Sequence, residues 1–268
     1  MNFSINFILE ALAIGFATGI FSGAFGIGGG IVCTPLLRLF LNVSPHMAIG
    51  TTMALIIPTS LSGALNYTRK GLVDKKVSTA MMLPAVVGVL AGAALTKVVH
   101  GKMLMLSFAL LVVISGIDLT LGIGKRIMEM RSGGEDEESK DSESESGKDL
   151  KTRIFVGLLA GMLAGFFGVG GGFILVPCLL YFFKLPIKAA FGTSLVVIAT
   201  VAMPGTITHF LLGHVNISLM LTMMGGAVLG SLVGSSVALR IRDSWLRKGF
   251  GVIMITVALV LTWRELHL

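Results

Sequence analysis

The chain divides into long apolar segments separated by short loops, and this pattern restricts it to a membrane. The segments run over residues 5–25, 28–42, 46–68, 77–99 and 103–123, and then over 153–168, 171–183, 187–211, 218–239 and 245–264. Several exceed the roughly 18 apolar residues that cross a bilayer as a helix. Only 13% of the residues are charged, against about 25% in soluble domains. We therefore predict an all-α polytopic membrane protein.

The two sets of five segments are related by a constant shift of 142 residues. The sequence GIGGGIVCTP at 26–35 returns as GVGGGFILVP at 168–177, and AIGTT at 48–52 returns as AFGTS at 190–194. A register held over some seventy residues indicates an internal duplication. Because each half has an odd number of segments, we predict two inverted repeats of about five helical segments each.

A hydrophilic segment separates the two halves. Residues 129–150 hold nine acidic side chains, and such a stretch cannot bury enough apolar surface to fold, so we predict disorder. We assign residues 1–124 to an N-terminal transmembrane repeat, 125–152 to an acidic linker and 153–268 to a C-terminal transmembrane repeat.

Loop charges predict the orientation of the chain. Lys and Arg concentrate in the loops at 69–76 and 240–248 and at both ends of the linker, whereas the loop at 209–216 has neither. The positive-inside rule then places the linker in the cytoplasm and both termini outside. Because the basic residues are explained by membrane topology, we predict no nucleic-acid partner. It leaves open whether the first two segments of each half cross fully or form a re-entrant pair, because both give the same parity.

Two runs of glycine, Gly28-Gly29-Gly30 and Gly170-Gly171-Gly172, interrupt the apolar sequence. A broken helix is tolerated in a bilayer only where it faces protein or a watery cavity. Transporters with inverted repeats bind their cargo where such breaks converge. Helix N-termini there offer free amides and a partial positive charge, and glycine allows a ligand to approach the backbone closely. We predict that these six glycines donate to a small anion.

Polar side chains near the breaks extend this predicted substrate site. A pair of hydroxyls follows a glycine once in each half, and a hydroxyl can donate to an anion without the cost of a buried lysine. An amide and an imidazole lie near the ends of the third segments, where a pathway mouth would open. These side chains are Thr51, Thr52, Asn66, Thr193, Ser194 and His209.

Each small-residue motif also has a simpler interpretation as a helix contact. Small residues let helices approach closely in membranes. We favour this interpretation for two GxxxG motifs, Gly88/Gly92 and Gly230/Gly234. For the triple glycines we favour the site, and for the hydroxyl pairs the sequence leaves both interpretations open.

The sequence contains no arrangement of residues typical of an enzyme. No Ser/His/Asp or paired-carboxylate pattern emerges, and no His/Cys cluster has metal-ligand spacing, so we predict no catalysis, no metal and no cofactor. Cys33 and Cys178 leave open a membrane-embedded thiol-dependent protein. An anion channel is the other alternative to a carrier.

The duplicated G-x-G-G-G-x-x-x-x-P, followed in each half by A-x-G-T-[TS], resembles the TauE/SafE family of sulfite exporters over both halves outside the linker. The resemblance implies a multi-pass secondary transporter of the prokaryotic inner membrane. Its cargo would be sulfite, an organosulfonate or thiosulfate, moved by alternating access as one repeat rocks against the other. Coupling to protons and the oligomeric state stay open.

Overall fold

A computed structural model describes the backbone of residues 5–122 and 142–267. These ranges form ten α-helices: α1 (Ile5–Phe25), α2 (Gly30–Phe40), α3 (Pro45–Arg69), α4 (Lys75–Leu95), α5 (Gly101–Leu121), α6 (Ser142–Phe167), α7 (Gly172–Tyr181), α8 (Ile187–Leu211), α9 (Ile217–Arg240) and α10 (Asp243–His267). All except α2 and α7 are long and apolar enough to cross a membrane. The prediction of an all-α polytopic membrane protein is confirmed.

The two short helices fold back along the helices that precede them. Leu36 and Phe40 near the end of α2 line the same surface cavity as Glu10 and Ala13 near the start of α1. With 11 residues, α2 is about 16 Å long, roughly half the thickness of a hydrocarbon core. The pair α1–α2 is therefore a helical hairpin whose second arm is too short to cross a hydrocarbon core by itself.

Helix α6 begins inside the predicted linker. Its backbone is helical from Ser142, although its continuous apolar sequence begins only at Ile154. Once a helix is nucleated, each added residue gains one hydrogen bond, so α6 continues into polar sequence without needing to bury it. The remainder of the predicted linker, residues 125–141, lies outside the described residues.

The most extensive helix pairs join opposite halves of the chain. Helix α1 packs along α9, α4 along α6, α3 against α8 and α5 against α10. Exchanging the halves converts the first of these pairs into the second and leaves the other two unchanged. The packing thus repeats the duplication found in the sequence.

Glycines bring the paired helices into backbone contact. A Cβ added at Gly230 of α9 would lie 2.2 Å from the carbonyl oxygen of Phe16 on α1, and one at Gly88 of α4 would lie 2.2 Å from that of Leu158 on α6. A side chain at either position would push the helices apart. The packing interpretation of the two GxxxG motifs is confirmed, because these glycines act as the small residues of close membrane-helix contacts.

Candidate functional site

The two glycine runs break the chain between α1 and α2 and between α6 and α7, and the breaks touch each other. A Cβ at Gly30 would lie 2.3 Å from the Cα of Val169, and one at Gly172 would lie 2.5 Å from the Cα of Ile27. The six predicted glycines are therefore brought together as two loops packed backbone to backbone.

This contact lies midway along the two most buried spanning helices. A Cβ at Gly28 or at Gly170 would meet methyl groups of both Ile56 and Ile198. Ile56 is near the centre of α3 and Ile198 near the centre of α8. The sequence at the breaks follows from backbone geometry: Gly28 and Gly170 have φ of 73° and 77°, a left-handed conformation that other L-residues adopt only at a cost.

The amides of both breaks lack acceptors. Within the described part of the chain, the backbone N–H groups of residues 27–31 and 169–173 donate to no backbone carbonyl. They include the first amides of α2 and α7, which a helix always leaves without an intrahelical partner. A buried donor without a partner costs about 1–3 kcal/mol, so these groups favour a ligand that accepts hydrogen bonds.

Two carbonyls of the first break, in contrast, are occupied. Thr59 Oγ1 donates to the Gly28 carbonyl over 2.9 Å, and Ser194 Oγ donates to the Gly26 carbonyl over 2.6 Å. The break therefore has acceptors that are already used and donors that are free. This is the polarity that an anion requires.

The predicted hydroxyls fall into two groups. Thr52 and Ser194 lie at the breaks: Thr52 Oγ1 accepts from Thr34 Oγ1 over 3.2 Å, and Ser194 binds the opposite half as described above. Thr51 and Thr193 instead hold loops. Each accepts a backbone N–H over 2.9 Å from the residue that immediately precedes α9 or α4 in the other half, Asn216 for Thr51 and Asp74 for Thr193.

The structure does not bring Asn66 or His209 to the breaks. Asn66 Nδ2 donates to Ser235 Oγ over 2.7 Å, in the contact between α3 and α9. His209 Nε2 lies 2.8 Å from the carbonyl oxygen of Gly165 and fixes the last turns of α6. Asn66 is ten residues beyond Ile56 on α3, or about 15 Å along the helix axis.

His209 belongs to a group of three histidines at one end of the bundle. The His214 ring lies 5.0 Å from that of His46 and 5.7 Å from that of His209, between ring centroids. His214 is in the loop between α8 and α9. Burial, followed by the charges of His46 and Lys97, lowers the pKa of His214 below its ordinary value of 6.5.

Sequence reasoning missed three hydroxyls at the first break, those of Thr18, Ser22 and Thr34. All three side chains are buried. The available signal was a departure from the repeat, because alanine or valine occupies each equivalent position in the second half.

An ion pair that the sequence analysis also missed fixes the end of α2. Arg38 Nε donates to Glu265 Oε1 over 2.7 Å, and both side chains are almost fully buried. Arg38 also donates to the Val43 carbonyl over 2.9 Å. The cysteines Cys33 and Cys178 are both free. Over the described ranges, no group of three or more His, Cys, Asp or Glu residues could hold a metal ion.

Broken helices that meet inside a bundle of spanning helices define a polytopic membrane transporter. The sequence profile of the family described as sulfite exporter TauE/SafE matches residues 11–261. The chain belongs to the TauE/SafE family, and it is a membrane transporter, not an enzyme.

Similar proteins occur in bacteria and archaea under the name of probable membrane transporter protein. The chain is 29% identical to YunE of Bacillus subtilis over 84% of its own length and 86% of that protein. It is 28% identical to a protein of Xylella fastidiosa over 94% and 92% of the two chains, and 24% identical to MJ0441 of Methanocaldococcus jannaschii over 92% of both. No solved structure matches the chain.

Proposed function

We propose that the chain is a secondary transporter of a small oxyanion, which is sulfite, an organosulfonate or thiosulfate. The observation that carries this proposal is the pair of touching glycine breaks whose amides have no backbone acceptor. Such amides can replace the water around a negatively charged group. The description of the family as sulfite exporters supports a sulfur oxyanion as the cargo.

The mechanism we propose is alternating access, with the breaks opening to one side of the membrane at a time. The largest helix contacts join the two halves, so the bodies that move are groups of helices from both repeats. Ile56 and Ile198, whose methyl groups approach both breaks, act as the inner gate. In this mechanism each moving body contains helices of both repeats, whereas the sequence analysis expected one repeat to rock as a unit against the other.

We further propose that the repeats are inverted in the prokaryotic inner membrane, with the linker in the cytoplasm and both termini outside. The distribution of Lys and Arg among the loops supports this orientation. Accessibility of single cysteines introduced at residues 71 and 213 to an impermeant reagent tests it. Labelling of both positions from the same side would contradict the proposal.

Counterflow in proteoliposomes tests the transport activity itself. Labelled sulfite, methanesulfonate and thiosulfate are offered outside, with and without the same unlabelled anion inside. Sulfate and acetate serve as competitors. A carrier shows uptake that the internal anion stimulates, whereas an open channel shows none of this stimulation. Repeating the assay with an imposed pH gradient measures coupling to protons. Movement of a cation alone would exclude the proposed function.

A further inference from the structure

Four hydroxyl groups surround the first glycine break. Thr18 and Ser22 on α1 lie against Gly29, because a Cβ added to this glycine would meet the Thr18 methyl at 2.7 Å and the Ser22 Cβ at 3.3 Å. Thr34 on α2 and Thr52 on α3 complete the set and are joined by a 3.2 Å hydrogen bond. Each of the four side chains is at most 1% exposed.

Two of these hydroxyls have no oxygen or nitrogen partner. Ser22 Oγ makes no hydrogen bond, and Thr18 Oγ1 makes none to an oxygen or nitrogen atom; its polar neighbour is the Cys33 thiol, which is a weak hydrogen-bonding group. A serine or threonine within a helix commonly donates to a carbonyl three or four residues earlier, as Ser60 does over 2.6 Å. Thr18 and Ser22 forgo this bond while buried. Their free hydroxyls therefore point to a ligand that binds at Gly29.

The second break offers no such set. The residues equivalent to Thr18, Ser22 and Thr34 in the second half are Ala160, Ala164 and Val176. Gly171, the equivalent of Gly29, packs directly against Ala160 and Ala164. The two breaks thus share their backbone geometry and differ in their lining, which is polar at the first and apolar at the second.

We propose that the oxygen atoms of the cargo bind at the first break alone. The α2 amides and the hydroxyls of Thr18 and Ser22 are the donors, whereas the side chains beside Gly171 in the second break, Ala160 and Ala164, add no hydroxyl donor to its amides. This inference rests on the proposed function and makes its substrate class narrower. An organosulfonate or sulfite carries three oxygens on one face and none on the other, which matches this arrangement. Sulfate would place its fourth oxygen beside Ala160 and Ala164, where no hydroxyl donates to it, so it binds more weakly.

Thermal melting of the purified protein in detergent tests the inference. Sodium methanesulfonate, sodium sulfate and sodium chloride are compared at equal ionic strength, using the wild type, Thr18→Val and Ser22→Ala. Thr200→Val is the matched control, because its hydroxyl donates to its own helix over 3.0 Å. We expect methanesulfonate to raise the melting temperature of the wild type and the control. Either site variant should need at least a tenfold higher concentration for the same increase. Sulfate should stabilise none of them beyond chloride.

The melting temperatures of the ligand-free variants separate a role in ligand binding from a structural role. Because each substitution removes a buried hydroxyl without an oxygen or nitrogen partner, the ligand-free Thr18→Val and Ser22→Ala proteins should melt at or above the wild-type temperature. A lower melting temperature in the absence of ligand would assign these hydroxyls a structural role and overturn the inference. Equal methanesulfonate dependence in all proteins, or stabilisation that follows sodium and not the anion, would also overturn it.

A chemical readout avoids dependence on the melting of variants. In a Cys178→Ala protein, the remaining thiol is Cys33, beside Thr18 and Thr52; because it is buried, a maleimide reaches it only when the first break opens. Methanesulfonate should slow its modification severalfold, and adding Thr18→Val should abolish this protection. Protection that survives Thr18→Val would overturn the inference. Counterflow distinguishes the two levels: if no anion moves, the proposed function fails, whereas wild-type counterflow by Thr18→Val refutes only the polar subsite.

Discussion

Replacing Gly30 by alanine would insert a methyl group between the two glycine breaks. The new Cβ would lie 2.3 Å from the Cα of Val169, whereas ordinary contacts begin at 3.4 Å. The neighbouring atom belongs to the backbone and cannot rotate away, so the breaks must separate by about 1 Å. Gly30 has no positive φ, and the substitution therefore tests this contact without adding backbone strain.

The energetic cost has two opposing parts. Forcing an extra methyl into a packed interior costs about 1–3 kcal/mol. An alanine within a helix stabilises the folded protein by roughly 0.5–1 kcal/mol relative to a glycine, and this gain offsets part of the loss. The expected net destabilisation is about 1–2 kcal/mol, and each kcal/mol lowers the melting temperature of a protein of this size by roughly 2–4 °C. Because the donors move apart, we expect counterflow to fall at least tenfold.

The matched control is Gly225→Ala in α9. A Cβ at Gly225 has one neighbour within reach, a methyl group of Leu12 at 4.0 Å. The control should therefore melt at the wild-type temperature or slightly above it, with full counterflow. If Gly30→Ala transports and melts like Gly225→Ala, the two breaks are not in contact in the working protein, and the proposed site is wrong.

Two further predictions concern charged groups away from the breaks. Glu265→Gln leaves Arg38 without its buried partner and should cost up to about 3 kcal/mol, seen as a lower melting temperature in detergent. The second prediction concerns His214, whose pKa is lowered below 6.5 by burial and by His46 and Lys97. The folded protein resists protonation of this group, so its contribution to stability is complete above pH 6.5 and is lost as the pH falls through the lowered pKa. Melting temperatures measured from pH 7.5 to 5 should therefore fall less steeply in His214→Asn than in the wild type, and parallel curves would contradict this reasoning.

Much of the fold is predictable because bilayer physics acts on single segments. The segment predicted at 187–211 is observed as α8 with the same bounds, since apolar length and a flanking Pro and Gly define a spanning helix locally. Which helix packs against which cannot be predicted from single segments. Nothing in the sequence of α1 specifies α9 as its packing partner. Gly19 and Gly23 form a face of small residues that would fit against the small-residue face of any other helix.

The candidate site divides in the same way. Glycine runs report a backbone requirement, and the structure has left-handed φ values at both Gly28 and Gly170. Whether a nearby hydroxyl is free or occupied depends on atoms from other helices. Thr51 illustrates this, because its oxygen is used by the amide of Asn216 from the opposite half, a contact that no local pattern announces.

The pairing of α1 with α9 and of α4 with α6 has a consequence for the origin of the chain. Before the two copies were fused, a single copy would have found these partner surfaces only on another molecule of itself. An ancestral single copy with this packing would then have needed to form a homodimer, and fusion would have turned an intermolecular interface into an internal one. Once both copies lay on one chain, their linings were free to diverge, as Thr18 and Ala160 now do.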